Sequence, residues 1–353
     1  MYPGARFAAI EANHAEGRAD MRIARWCFWM ALAASGCSAS GDGTSPADTS
    51  QTTGAGDSSG NGAGSGEDNG SGAGGQDETF GAGAGTGGSD GGGESEDADS
   101  RCIERAALVY VLSQDNELYS FRPDRKEFTK VGVLGCQTSM HPNSMAVDRD
   151  AVAWVNYVYS DDSEGTLFKV STEDASCEPT DMSLSEGWSR LGMGFSSDLS
   201  RPDAEQLFVA GATGTPGVGL GRIDGASVTP VGEFSGSLRG ASAELTGTGD
   251  GRLFGFFTTT PVQLAEIDKE TGEILEATDL PGIETPSAWA FSFWGGDFYF
   301  YTAPDEFQSP SRTTNVSRYR PSDGSIDPDY MTNIGFRIVG AGVSTCAPLE
   351  VPR

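Results

Sequence analysis

From residue 101 onward, apolar and polar positions alternate in short runs, with turn residues roughly every eight to twelve positions and no sustained helical period. That patterning predicts β-strands. Its densest example is Trp289–Thr302, where two apolar runs flank Gly295-Gly296-Asp297, the mark of a tight β-hairpin. Weaker copies of one marker recur along the chain: Leu118-Tyr119-Ser120-Phe121, Leu167-Phe168-Lys169-Val170, Leu220-Gly221-Arg222-Ile223, Leu264-Ala265-Glu266-Ile267 and Val316-Ser317-Arg318-Tyr319. Successive copies start about 44 to 53 residues apart, a spacing that points to a repeated supersecondary unit.

Each marker follows a hydrophobic run: Leu108–Leu112, Val152–Asn156, Leu207–Ala210, Leu253–Phe257 and Phe298–Tyr301. Four of these runs are preceded by another strand pattern, often with a small residue between two large ones. Met145-Ala146-Val147, Met193-Gly194-Phe195 and Phe291-Ser292-Phe293 show it, and Leu245-Thr246-Gly247 is a poorer copy. A more polar strand follows each marker, as in Thr129–Leu134 and Val228–Glu233. Four strands per unit predict an all-β fold, a β-propeller of five four-stranded blades over residues 101–353. The first unit lacks its innermost strand, while the chain ends on the unpaired pattern Ile338–Val343. Residues 338–346 are therefore expected to complete blade one and close the ring, which removes its open edges. A β-sandwich is the alternative.

Four cysteines lie in this region, an even count that predicts two disulfides in an exported domain. Ring closure selects Cys102–Cys346, a bridge across the two chain ends, and leaves Cys136–Cys177 to link blades one and two. Zinc is not expected, because no C-x-x-C pair is present.

The first hundred residues have a different character. Met21–Arg25 is basic, Trp26–Ala34 is apolar and too short to span a bilayer, and Ser35-Gly36 precedes Cys37. Residues 1–37 are thus expected to be a signal peptide, with translation starting at Met21, because Glu11, Glu16 and Asp20 are out of place ahead of its basic end. Ala34-Ser35-Gly36-Cys37 resembles a bacterial lipobox, which implies lipidation of Cys37. Ser38 after that cysteine points to outer-membrane retention by the same resemblance. Secretion is the alternative. Residues 38–100 contain 20 Gly, 12 acidic residues and no Lys or Arg, so they are read as a disordered acidic tether.

The whole chain carries a net charge of -28. This argues against a nucleic-acid partner, which needs a basic face, and fits a soluble monomer held to the membrane by its lipid. Only two histidines occur, His14 and His141, and no nucleophile elbow or metal-binding helix motif accompanies them. No cofactor is expected. Asp161-Asp162-Ser163-Glu164-Gly165 offers the one faint calcium pattern in the folded region, and a solvated loop explains it better. In the propeller, His141, Trp188, Arg190, Arg239, Glu284 and Arg337 fall on the face that gathers the blade connections, and are the candidate ligand-face residues. The long Ala303–Thr314 loop shares that face.

The stretches Ser144–Asp148, Ala153–Tyr157, Gly192–Asp198 and Glu244–Asp250, with the aromatic hairpin, resemble uncharacterised bacterial lipoproteins of myxobacterial type that carry a propeller-like domain. The resemblance implies no activity and no catalytic residues. Two functions follow from the sequence. The first is a non-enzymatic binding or scaffold module displayed at the cell envelope, with an unknown protein or glycan ligand. The alternative is a propeller hydrolase, lactonase or lyase acting on sugars or small esters. In the hairpin, Phe291, Phe293, Phe298 and Phe300 are expected to pack between blades, leaving Trp289 and Trp294 as possible ligand contacts.

Overall fold

In the computed structural model the described residues are 102–352, apart from 186, 202–203, 213–216 and 308. The expected start at Met21, the signal peptide, Cys37 and the 38–100 tether lie outside the described residues.

The alternating runs become twenty strands in five antiparallel four-stranded sheets among the described residues. Blade one holds β1 (Val109–Ser113), β2 (Glu117–Arg122) and β3 (Glu127–Val133). Blade two is β4 (His141–Val147), β5 (Val152–Val158), β6 (Gly165–Ser171) and the short β7 (Cys177–Pro179). Blade three is β8 (Leu191–Ser197), β9 (Glu205–Gly211), β10 (Gly219–Asp224) and β11 (Ser227–Gly232). Next come β12 (Ala243–Gly247), β13 (Leu253–Phe257), β14 (Gln263–Ile267) and β15 (Ile274–Asp279) of blade four. Blade five is β16 (Ala288–Trp294), β17 (Asp297–Ala303), β18 (Asn315–Arg320) and β19 (Ser325–Met331). The last strand, β20 (Ile338–Val343), pairs antiparallel with β1 and supplies the inner strand of blade one. The described residues form a five-bladed β-propeller closed by the pairing of β20 with β1.

Burial falls from the axis outward. Every residue of β8 is buried, whereas β3, an outermost strand, has none that is fully buried. This gradient explains why the outer strands read as polar and the inner ones as nearly continuous apolar runs. In the aromatic hairpin Trp294 pairs with Asp297 across Gly295 and Gly296, whose φ angles are 64° and 84°. Those left-handed values are what a two-residue hairpin turn requires, and glycine adopts them without strain.

Blades adhere through the side chains that strand alternation aims at their neighbours. Phe254 and Phe256 of blade four join Phe291, Phe293, Phe298 and Phe300 of blade five in one buried cluster. The ring centroids of Phe254–Phe298 and Phe256–Phe300 both lie 4.8 Å apart. Trp294 is buried and its indole N–H donates to the Ala107 carbonyl at 2.8 Å, so it ties blade five to the start of blade one. Its role is structural.

On the axis, the inner strands touch through backbone. A Cβ on Gly340 would lie 3.0 Å from the Met145 amide nitrogen, one on Gly342 would lie 2.9 Å from backbone atoms of Ala146, and one on Gly192 would overlap the Ala243 carbonyl. Small residues are obligatory there.

The ring seam is held covalently. Cys102 is bridged to Cys346, with Cα atoms 5.8 Å apart, and Cys136 to Cys177 at 5.0 Å. The first bridge closes a loop of 244 residues and the second a loop of 41. In the chain-entropy model the longer loop stabilises by about 1.5 kcal/mol more. Urea unfolding of the C102S/C346S and C136S/C177S variants should show the first pair losing more stability by about that margin. Equal losses would show that seam closure adds nothing to the ring. Replacing Phe256 by Ala should cost about 3–5 kcal/mol in the same measurement, as a truncation inside a closely packed aromatic layer.

Candidate functional site

At the end of the ring where the inner strands begin, the axis opens into a cavity of about 110 Å³. Asn143, Leu191, Ala243, Trp289 and Val339, one residue from each of β4, β8, β12, β16 and β20, encircle it. The site is therefore axial, built by the same position of the repeat in all five blades. One residue further along each strand, four blades carry Ser144, Gly192, Ala290 and Gly340. Blade four carries Glu244.

That carboxyl is only 6% exposed and borders the cavity. Its Oε2 accepts a hydrogen bond of 2.7 Å from the Ser144 hydroxyl, on a strand separated from its own by β8. Burial pushes the Glu244 carboxyl well above the ordinary carboxylate range, against the opposing pull of the Ser144 hydrogen bond and the Arg190 charge. Such a carboxyl keeps its proton more readily than a free one, and in its protonated form it can donate a hydrogen bond or a proton.

Arg190 reaches the cavity as the anchor of a polar chain. Its Nη2 and Nε lie 2.7 and 3.1 Å from Asp162 Oδ1, and its Nη1 donates to Asn143 Oδ1. Asn143 Nδ2 in turn donates to Asn156 Oδ1 at 3.0 Å and to the Leu191 carbonyl at 2.7 Å. Asn156 is fully buried and also bonds the Ser189 carbonyl and the Leu191 amide, at 3.1 Å each. These bonds fix the side of the cavity formed by blades two and three. On the far side stands Trp289. Its indole nitrogen is the one buried side-chain polar atom without a hydrogen-bond partner among the described residues.

Of the candidates read from the sequence, Arg190 lines this cavity and the other five do not. His141 is exposed at the first position of β4. The Trp188 ring lies against Gly211 and Gly221, under blade three. Arg239 pairs with Glu233 on the surface. Glu284 stands 3.8 Å from Arg312 in a separate groove beside blade five. Arg337 donates to the Pro304 carbonyl at 2.6 Å and so holds the base of the Ala303–Thr314 loop. In the acidic turn, Asp162 serves the Arg190 ion pair and Asp161 accepts from the Ser163 amide and hydroxyl. No cluster of His, Cys, Asp or Glu that could hold a metal ion occurs among the described residues. Nor is any helix among them long and apolar enough to cross a membrane.

Glu244 and Asn143 escaped the sequence reading. The signal for Glu244 was present: aligned on the inner-strand pattern, it is the long polar residue where the other blades have Ser, Gly or Ala.

A second, half-buried carboxyl sits at the opposite end of the blades. Glu205 Oε1 accepts from the Arg149 amide at 2.7 Å and Oε2 from the Thr345 hydroxyl at 2.8 Å. It thereby joins blades two and three to the seam. Burial pushes its carboxyl up to about 7, with the Arg149 and Thr345 hydrogen bonds opposing.

No protein-family model matches the chain, and no curated protein matches it. Among solved structures it is similar to a protein of unknown function from Bacteroides caccae, at 11% identity and a TM-score of 0.37, over 67% of this chain and 97% of that one. It is similar also to the calcium-binding protein regucalcin from Agrobacterium tumefaciens, at 12% identity and 0.39, over 68% and 75% of the two chains. A luciferin-regenerating enzyme gives 13% identity and 0.38, over 72% and 94%. None of these likenesses carries a residue-level correspondence to the axial cavity.

The two raised carboxyls set a pH dependence. A folded-state carboxyl at about 7, against an ordinary 4.5, holds a proton that the unfolded chain releases. Stability from Glu205 is therefore greatest below about pH 4.5 and is lost as pH rises through 7, by about 3 kcal/mol. Glu244 acts in the same direction. Denaturant melts should show stability falling between pH 5 and 8, and E205Q should flatten part of that slope. A stability that rises over this range would contradict the burial of both groups.

Proposed function

We propose that the axial cavity is an active site for a small polar molecule, with Glu244 as its acid, and that the protein is a hydrolase or lyase acting on small esters or sugars. The observation that carries this reading is a buried carboxyl, raised by desolvation, that borders a cavity on the axis of the ring. Buried carboxyls with raised pKa values in concave sites are the groups that enzymes use for proton transfer near neutrality. In ester hydrolysis, the oxygen of water forms the new bond to the acyl carbon as the acyl C–O bond breaks. Glu244 gives its proton to the departing alkoxide oxygen and regains one from the attacking water. The polar chain from Asp162 to Asn156 keeps Arg190 and Asn143 in place beside that carboxyl.

A panel of small esters and lactones, assayed with the full chain, tests this. Turnover should fall by about 100-fold or more in E244Q and stay within about twofold in H141A, whose side chain is exposed on the rim. Turnover that survives E244Q would overturn the assignment.

One observation favours a second reading, a binding module without catalysis: Glu244 is the sole carboxyl among the described residues that line the cavity. Ligand binding without turnover across the panel would support that module.

The basic stretch, the apolar run and Cys37 support display at the cell envelope, anchored by lipid and held clear of it by the acidic tether. Fractionation of cells producing C37S should find the protein released from the membrane pellet. Retention would disprove the anchor.

A further inference from the structure

We infer that Ser144 is the positioning residue for Glu244: its hydroxyl holds the carboxyl in one orientation and steadies the ionised form between proton transfers. This rests on the reading of Glu244 as the acid of the axial site.

At the level of Glu244 the five inner strands present Ser144, Gly192, Glu244, Ala290 and Gly340. Two of these carry polar side chains, and the two bond to each other: the Ser144 hydroxyl lies 2.7 Å from Glu244 Oε2. Ser144 is fully buried, so water does not compete for its hydroxyl. Glycine fixes the main chain under both partners. A Cβ on Gly340 would stand 3.1 Å from the Ser144 Cα, and one on Gly192 would stand 2.8 Å from the Glu244 Cα. With main chain packed on main chain at both ends, neither residue can back away from the other. The Glu244 side chain thereby reaches across β8, whose Met193 amide is a further donor to it.

A serine hydroxyl suits this task because it both donates and accepts. It donates to the carboxylate, and it can turn its hydrogen away and accept when the carboxyl holds its proton. The bond to the ionised carboxylate is the stronger of the two. Burial pushes the Glu244 carboxyl up, and Ser144 pulls the other way, so the acid can release its proton as well as regain it. Few other charges act at this level. The five inner strands hold two titratable side chains, Glu244 and His141, and His141 is exposed at the first position of β4. Outside those strands, the Arg190 guanidinium pulls Glu244 in the same direction as Ser144, with its charge offset by Asp162.

The test is a pH titration, followed by ¹³C NMR, of the full chain labelled at the glutamate carboxyl. E244Q identifies the Glu244 resonance, and the titration is repeated in S144A and S144C. Cysteine keeps a side chain of similar shape but is a weak donor, so it separates the lost bond from lost packing. In both variants the Glu244 midpoint should rise by about one to two pH units, the loss of one hydrogen bond to a charged group. The alkaline limb of ester turnover should move up with it, and kcat should fall while KM stays within about twofold. S144C carries the test even where S144A folds poorly. An unmoved midpoint in both variants, or a rise in S144A alone, overturns the inference. A raised midpoint with no ester turned over by the unaltered protein sinks the catalytic reading and upholds this one. Turnover abolished by E244Q with an unmoved midpoint in both serine variants does the reverse.

Discussion

Each innermost strand lies against two others with backbone atoms in contact, so a side chain finds room on the axis only where its neighbours give up theirs. Gly192, Gly194, Gly340 and Gly342 meet the adjoining strand at distances that a Cβ could not keep without displacing main chain. This close approach is possible because five twisted sheets fan out from one line, and it makes the ring centre a packed core. The aromatic layers further out then fill the wedge between diverging blades. Their size follows from the fan: the farther from the axis, the larger the gap that a ring such as Phe254 or Phe298 has to span.

The same geometry makes the seam the vulnerable line. Four blades have inner strands continuous with their own sequence, whereas β20 reaches blade one only at the end of the chain. Were it to detach, β1 and β20 would both expose unpaired backbone. The structure concentrates ties there: the Cys102–Cys346 bridge, the Ser344 hydroxyl to the Ala106 carbonyl at 2.7 Å, the Trp294 indole to Ala107, and Tyr330 to the Pro123 carbonyl at 2.5 Å. Each joins residues distant in sequence, so together they restrict the unfolded chain most where the folded ring is most easily opened.

Period-two alternation and the 44-to-53-residue spacing made the blades legible, because each blade must bury both faces against copies of itself. The lone pattern Ile338–Val343 and the missing first strand of unit one revealed the closure for the same reason. Short, irregular pieces were less visible. Three-residue β7 is set by its pairing with β6 and by the Cys136–Cys177 bridge, not by its own apolar content. The site was harder still. Trp188, Arg239 and Glu284 looked plausible because they are large or charged and fall on the correct face. Which of them turns inward depends on loop paths that no local pattern records. Glu244 lay in plain view at a position of otherwise small residues, yet its meaning came from the axis, a property of five strands taken together.

Two carboxyls show why a raised pKa alone does not mark a site. Glu205 and Glu244 are both pushed upward by burial. Glu205 has each oxygen taken by a donor from a different part of the frame, the Arg149 amide and the Thr345 hydroxyl, and so it works as a clamp. Glu244 is held by the Ser144 hydroxyl and the Met193 amide and borders the axial cavity. Position, not the shift, separates them: one closes the seam, and the other stands beside the cavity at the end where the inner strands begin.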